Sequence, residues 1–384
     1  MITTSSKRGR LALMVAHCAG MIDLVALPVW VGTLITQYRL DPQQAGLLAS
    51  LFLGGAVLAS VGLAHRFVPA TARVEAAVGF GAAAMLFGCA CLTTRFAFLA
   101  GLHAACGLAT GVALSATHGT IARSANPHRL FALVGMALGV FAIVFLGGAP
   151  QLVARQGGVA LFQIFSAVMA LAALASALAF PRAETNLANP VEAGKKAIPK
   201  PVWFGIAGIA CMALVQSMTF SFLERVGHER GFGLQAVTGV LVALGFVNLF
   251  PALLAAILER RLSAKRVMLV GPWVQAILVV VIMSSAQFAP YAFAASVFAA
   301  VMLFTHTFAF GLLARLDRSG RAMAATPAML MVGAAIGPLL GGTLVKTWGY
   351  ASFGPVAFAI ALLAALCFSQ LPNAHAAPTQ EVFA

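Results

Sequence analysis

The chain has 384 residues, 61% of them hydrophobic and only 9% charged, with a mean hydropathy of +0.97. A soluble domain carries about 25% charged residues, so the composition excludes a soluble protein. The formal charge of +14 would point to nucleic acid in a soluble chain. Here Lys and Arg fall in short gaps between apolar runs, where they act as topology determinants, and no nucleic-acid partner is expected.

A membrane-crossing helix needs about 20 mostly apolar residues. Such runs predict twelve spans, at 10–36, 43–64, 74–94, 97–122, 130–154, 159–181, 202–224, 235–258, 267–288, 291–314, 324–345 and 350–371. The first contains "VAHCAGMIDLVALPVW", Val15 to Trp30, which places His17 and Asp23 inside an otherwise lipid-soluble run. That run is too long for a signal peptide, and none is expected. Span 4 carries His103 and His118, and span 7 carries Gln216, Ser217, Thr219 and Ser221. Glu224 and Arg225 close span 7 and read as an ordinary solvated pair. Span 10 holds His306 between Thr305 and Thr307.

The longest polar interval, "RAETNLANPVEAGKKAIPKP" at 182–201, divides the chain. It predicts a six-helix unit at 1–181, a cytoplasmic linker, and a second six-helix unit at 202–384 with a short cytoplasmic tail. Lys and Arg in the N-terminus and even-numbered gaps number 18, against 6 in the odd gaps. The positive-inside rule then places both termini in the cytoplasm, which implies the cell inner membrane. The six cysteines all lie within predicted spans and show no disulfide framework.

The two units echo each other. Gly139, Gly147 and Gly148 recur 194 residues later as Gly333, Gly341 and Gly342. The turn "AHRFVPATAR" after span 2, with Arg66, has a counterpart in "LERRLSAKR" after span 8, with Glu259 and Arg260. Internal repeats of this kind mark secondary transporters, whose substrate site lies between the repeats. The fold class expected is therefore an all-α membrane protein of twelve helices in two pseudosymmetric six-helix bundles.

Twelve spans, a basic middle loop and repeated turns after spans 2 and 8 resemble the major facilitator superfamily. The best local match is "GAAIGPLLGG", similar to its glycine-proline motif, with Gly333, Gly337, Pro338 and Gly341 as helix-packing residues. Antiporters of that superfamily carry the motif in span 5 as well, where this chain has Ile143 and Val144. The turn after span 2 has His65 where the family pattern has Asp, and retains Arg66. In span 4, His103 stands four residues before Gly107, at the place of an Arg in many proton-coupled members. The resemblance implies that spans 1, 4, 7 and 10 line a central cavity. The four intramembrane histidines, His17, His103, His118 and His306, all fall on those spans.

Asp23 stands apart from the other acids, each of which sits at a span end, in a loop or in the tail. A carboxylate within a span costs about 2.5–3.5 kcal/mol on insertion scales, so it should face protein or water. Burial favours the neutral form of a carboxyl, which is what exchange of a coupling proton requires. Its symmetry counterpart, 193 residues on, is Gln216, which binds without titrating. Asp23 and His103 are accordingly the expected proton-coupling residues. His17, Gln216, Ser217, Thr305 and His306 are the expected substrate contacts, and His118, Arg66, Glu259 and Arg260 the gate or cytoplasmic-loop residues.

These features predict a monomeric secondary transporter for a small organic solute, coupled to protons and working by alternating access. Import and export both remain open, and no cofactor is expected. No G-x-x-x-x-G-K-[ST] loop is present, and no nucleophile–base pair points to an enzyme. The alternative is a copper-type metal transporter. It would use His17 with Met21 and Met302 with His306, each pair four residues apart, as soft ligands.

Overall fold

A computed structural model describes residues 2–64, 68–182, 199–317 and 326–372. Twelve helical stretches are long and apolar enough to cross a membrane, as the hydrophobic runs predict. Span 1 comprises two helices, Lys7–Gly20 and Ile22–Thr36. Spans 2 to 6 are Pro42–Ala64, Ala72–Ala90, Phe96–Ala122, Pro127–Gln156 and Val159–Ala179. Span 7 is Lys200–Glu229, and span 8 is again divided, into Leu234–Val247 and Pro251–Leu258. Spans 9 to 11 are Ala264–Ser284, Phe288–Leu316 and Thr326–Trp348. A single 3-10 turn, Tyr350–Ser352, leads into span 12, Phe353–Ser369. Among the described residues there is no strand, only one isolated bridge between Thr3 and Arg182, which brings the chain start to the end of span 6.

Large apolar side chains such as Leu58, Met85, Val144, Leu178 and Phe293 are more than half exposed on the outer surface. In water such a belt would be costly, and in a bilayer it is the solvated face. Inside the first half, spans 2 and 3 pack on span 4, and span 3 packs on span 6. Their core is aromatic. Trp30 meets the Phe165 ring edge-on at 4.7 Å, and Phe52 and Phe87 complete the cluster. In the second half, span 9 packs on spans 10 and 12, and span 7 on spans 11 and 12.

Across the halves, span 1 meets span 7, span 2 meets span 11, and span 5 meets span 8. Glycine permits the closest of these approaches. A Cβ on Gly46 would strike the Pro338 carbonyl, and one on Gly342 the Pro42 carbonyl. On span 5, where the glycine-proline motif is replaced, Ile143 fills the space left by Gly245 of span 8. The bulk on one helix is matched by its absence on the other.

The divided helices have separate causes. In span 8, Asn248 closes the first segment, and Pro251, which lacks an N–H, opens the second at a position proline tolerates. Span 1 has no such breaker. Met21 leaves the helical region at φ −109° and ψ 23°, while Gly20 before it lies against Leu114 of span 4.

Candidate functional site

The break in span 1 answers why Asp23 is tolerated. The carboxyl is 3% exposed, yet it stands in the first turn of a new helix, with the N–H groups of Asp23 and Leu24 against it. The first N–H groups of a helix have no partner within the helix, and the helix dipole favours negative charge there. A carboxylate in an unbroken helix would have neither benefit.

His17 ends the segment before the break, and its carbonyl accepts the Met21 N–H at 3.0 Å. Its Nδ1 lies 3.1 Å from Nε2 of His118, so one ring donates to the other and spans 1 and 4 are tied together. His118 also lies edge-on to Phe131, with ring centroids 5.7 Å apart. Expected substrate contact and expected gate residue are thus one pair.

His103 has a different place from the expected proton exchanger. It is fully enclosed, its Nδ1 lies 2.7 Å from the Leu99 carbonyl, and Trp30 donates Nε1–H to its Nε2 at 3.3 Å. Phe87 and Phe162 present their edges to the ring. With Nδ1–H donated and Nε2 accepting, both nitrogens of His103 are engaged.

Two more of the expected substrate contacts lie where helices meet. Ser217 is buried against Gly337 of span 11 and donates to the Leu214 carbonyl, and Thr305 is buried against Gly271 of span 9 and donates to the Val301 carbonyl. Each hydroxyl donates within its own helix at a helix–helix contact. Gln216 fits its expected role better. It is half-buried, and its Oε1 accepts from Gln275, which also donates to the Met212 carbonyl. His306 is half-buried too, with Nδ1 3.0 Å from the Met302 carbonyl and its ring on Phe310.

The remaining expected residues divide by position. Gly333, Gly337 and Gly341 of span 11 lie against Ala210, Ser217, Met218 and Phe222 of span 7. Pro338 interrupts the ladder of span 11, and the next N–H, of Leu339, bonds Ser50 Oγ of span 2 at 3.0 Å. Glu259 and Arg260 are exposed at the turn after span 8, and Arg66 lies outside the described residues. The methionines of the alternative metal set lie in separate clusters. Met302 packs with Ile209 and Met212, whereas Met21 packs beside Ala56 and Leu114. Among the described residues no three His, Cys, Asp or Glu side chains converge.

Sequence reasoning missed Glu224. It does not pair with Arg225, which binds Glu229 at 2.6 Å. Glu224 is 8% exposed, its Oε1 is 3.4 Å from Nε2 of His228, and its Oε2 is buried without a hydrogen-bond partner against Gly32 of span 1. The signal was helical spacing: neighbours at i and i+1 diverge, while both observed pairs are i and i+4.

The family model described as Major Facilitator Superfamily matches residues 12–316. No curated protein matches the sequence. Among solved structures, the chain is similar to a D-xylose-proton symporter at a TM-score of 0.72 and 15% identity, covering 95% of this chain and 97% of that one. It is similar to the nucleoside transporter NupG at 0.71 and 14% identity, covering 94% and 98%. A bacterial homolog of the human lysosomal transporter Spinster, inward-facing and occupied, gives 0.69 and 15% identity, covering 95% and 93%. At these identities the likeness is one of fold.

Proposed function

Because the chain belongs to the Major Facilitator Superfamily, we propose that it is a secondary active transporter of a small organic solute, coupled to protons through Asp23. The observation that carries this reading is the burial of that carboxyl at a break in span 1, beside a helix that meets the opposite half. Discontinuous helices near the middle of the bilayer form the ion and substrate sites of many transporters. The two six-helix units rock about the span 1–span 7 and span 2–span 11 contacts, alternately exposing Asp23 to either side. Gln216, held by Gln275, supplies a non-titrating contact from the second unit. His17 and His118 form the polar pair on the inner side of the break. The protein works as a monomer in the inner membrane with both termini in the cytoplasm, in keeping with the excess of basic residues on that face.

The test is made in liposomes holding a pH-sensitive dye, challenged with amino acids, organic acids and organic cations. Wild type should give a solute-dependent change of internal pH and accumulate that solute along a pH gradient. In Asp23→Asn the pH change should vanish and the accumulation ratio fall to about 1, while insertion persists. A variant that still moved protons like wild type would make Asp23 a structural residue.

A further inference from the structure

The charged residues buried among those described are Asp23, Glu224 and Asp317, all acidic, while Arg230 is half-buried with its Nη1 enclosed and unpartnered. Asp317 follows the inner end of span 10 and has a partner of its own. The other two belong to spans 1 and 7, which face each other across the halves. Asp23 is on span 1, and Glu224 reaches from span 7 to span 1 at Gly32. Nine residues separate Asp23 from Gly32, so the carboxyls are offset by about 13 Å along the helix axis.

We propose that the solute of the transporter described above is an organic cation, held at two carboxylate stations, Glu224 near the outer end and Asp23 at the break in span 1. The outer station is more than a polar helix end. Glu224 Oε2 is more than nine-tenths buried, has no donor, and occupies the space where any residue but glycine at position 32 would place its Cβ. A buried acceptor without a partner is costly and is retained where a ligand or a moving element satisfies it. Parting spans 1 and 7 turns that oxygen toward the path between the halves. The groups around it leave it available. His228, on the same helix, addresses the other oxygen. Tyr291 of span 10 donates its hydroxyl to the Leu223 carbonyl, and Arg230 donates to the Met283 carbonyl. An anion passing between spans 1 and 7 would meet both carboxyls. A cation would meet two acceptors, with the Gln216 amide on the facing helix.

The inference rests on the transporter reading but not on its proton step, so it is tested by binding without any gradient. Thermal unfolding of the purified protein at fixed pH is measured with choline, tetraethylammonium, spermidine and ethidium, with sodium chloride, with benzoate and citrate, and with xylose and uridine. At least one organic cation should raise Tm by about 2 °C or more at saturation, with no response to sodium or to the anions. Its dissociation constant should rise at least about tenfold in Glu224→Gln, which keeps the side chain's size. If that variant does not purify folded, Asp23→Asn carries the same comparison. Stabilisation by an anion, a neutral solute or sodium alone, or silence across the organic cations, overturns the proposal. Either result leaves the liposome proton measurement standing on its own.

Discussion

Trp30 and His103 fix the inner face of the first half by a single buried hydrogen bond within an aromatic cage. Trp30→Phe removes the donor and leaves Nε2 unpaired, which should cost about 1–3 kcal/mol of stability. His103→Gln should likewise lower Tm, yet retain solute-driven proton movement in liposomes. Loss of that movement at unchanged Tm would return His103 to the coupling path. The contrast with Asp23 shows what a sequence conveys about a polar residue in a membrane. That Asp23 and His103 must face protein follows from composition alone. Whether a histidine is already satisfied depends on what other spans bring to it. Here the donor comes from Trp30, 73 residues away. Glu224 was hidden for the opposite reason, since its neighbour Arg225 looked like a partner but points elsewhere on the helix.

Span 11 shows how helices in a bilayer are held at close range. With no hydrophobic force between helices in lipid, contact area and small residues do the holding. Gly337 faces Ser217 Oγ, the Met218 N–H and the Leu214 carbonyl, so a methyl there would force spans 7 and 11 apart. Gly337→Ala should therefore destabilise by about 1–3 kcal/mol in thermal unfolding. Gly54→Ala, with nothing within 4 Å of the added carbon, should be neutral or stabilising by up to about 1 kcal/mol. Equal effects at the two sites would mean that the span 7–span 11 contact is not tight. Twelve spans and their approximate bounds were readable because twenty-residue apolar runs have few other structures open to them. The interruption of span 8 had its Pro251 as a marker. The interruption of span 1 had no proline marker, and Gly20 beside it lies against Leu114 of span 4. The break places a mid-span carboxylate in the first turn of a helix.

Between the two halves, polar bonds gather at one end. Lys346 of span 11 donates to Asp41 at 2.9 Å and to Gln43 at 3.3 Å, and Gln43 donates to Thr343. Asp41 also caps span 2: its Oδ1 accepts the Gln44 N–H, while the Gln44 side chain accepts the Asp41 N–H. Partial burial pushes the Asp41 carboxyl up, but the Gln44 N–H and the Lys346 ammonium together outweigh it, and the net displacement is downward. A carboxyl lowered in the latched state stabilises that state fully above the ordinary carboxylate range and loses its contribution as pH falls through the lowered value. The latch should thus be indifferent to pH between 7 and 5 and weaken only in stronger acid. Both side chains are more than a third exposed, so solvent screens the pair and its worth is about 0–1 kcal/mol. Spin labels at Thr94 and Gln287, exposed in the loops after spans 3 and 9, report the separation of the halves. Lys346→Ala should shift the population toward the separated form by up to about fivefold at neutral pH and remove the response to acid. Separation that increases equally with acid in wild type and Lys346→Ala would place the acid-sensitive contact elsewhere. The Lys346–Asp41 pair would then add little to the packing of spans 2 and 11, 1 and 7, and 5 and 8.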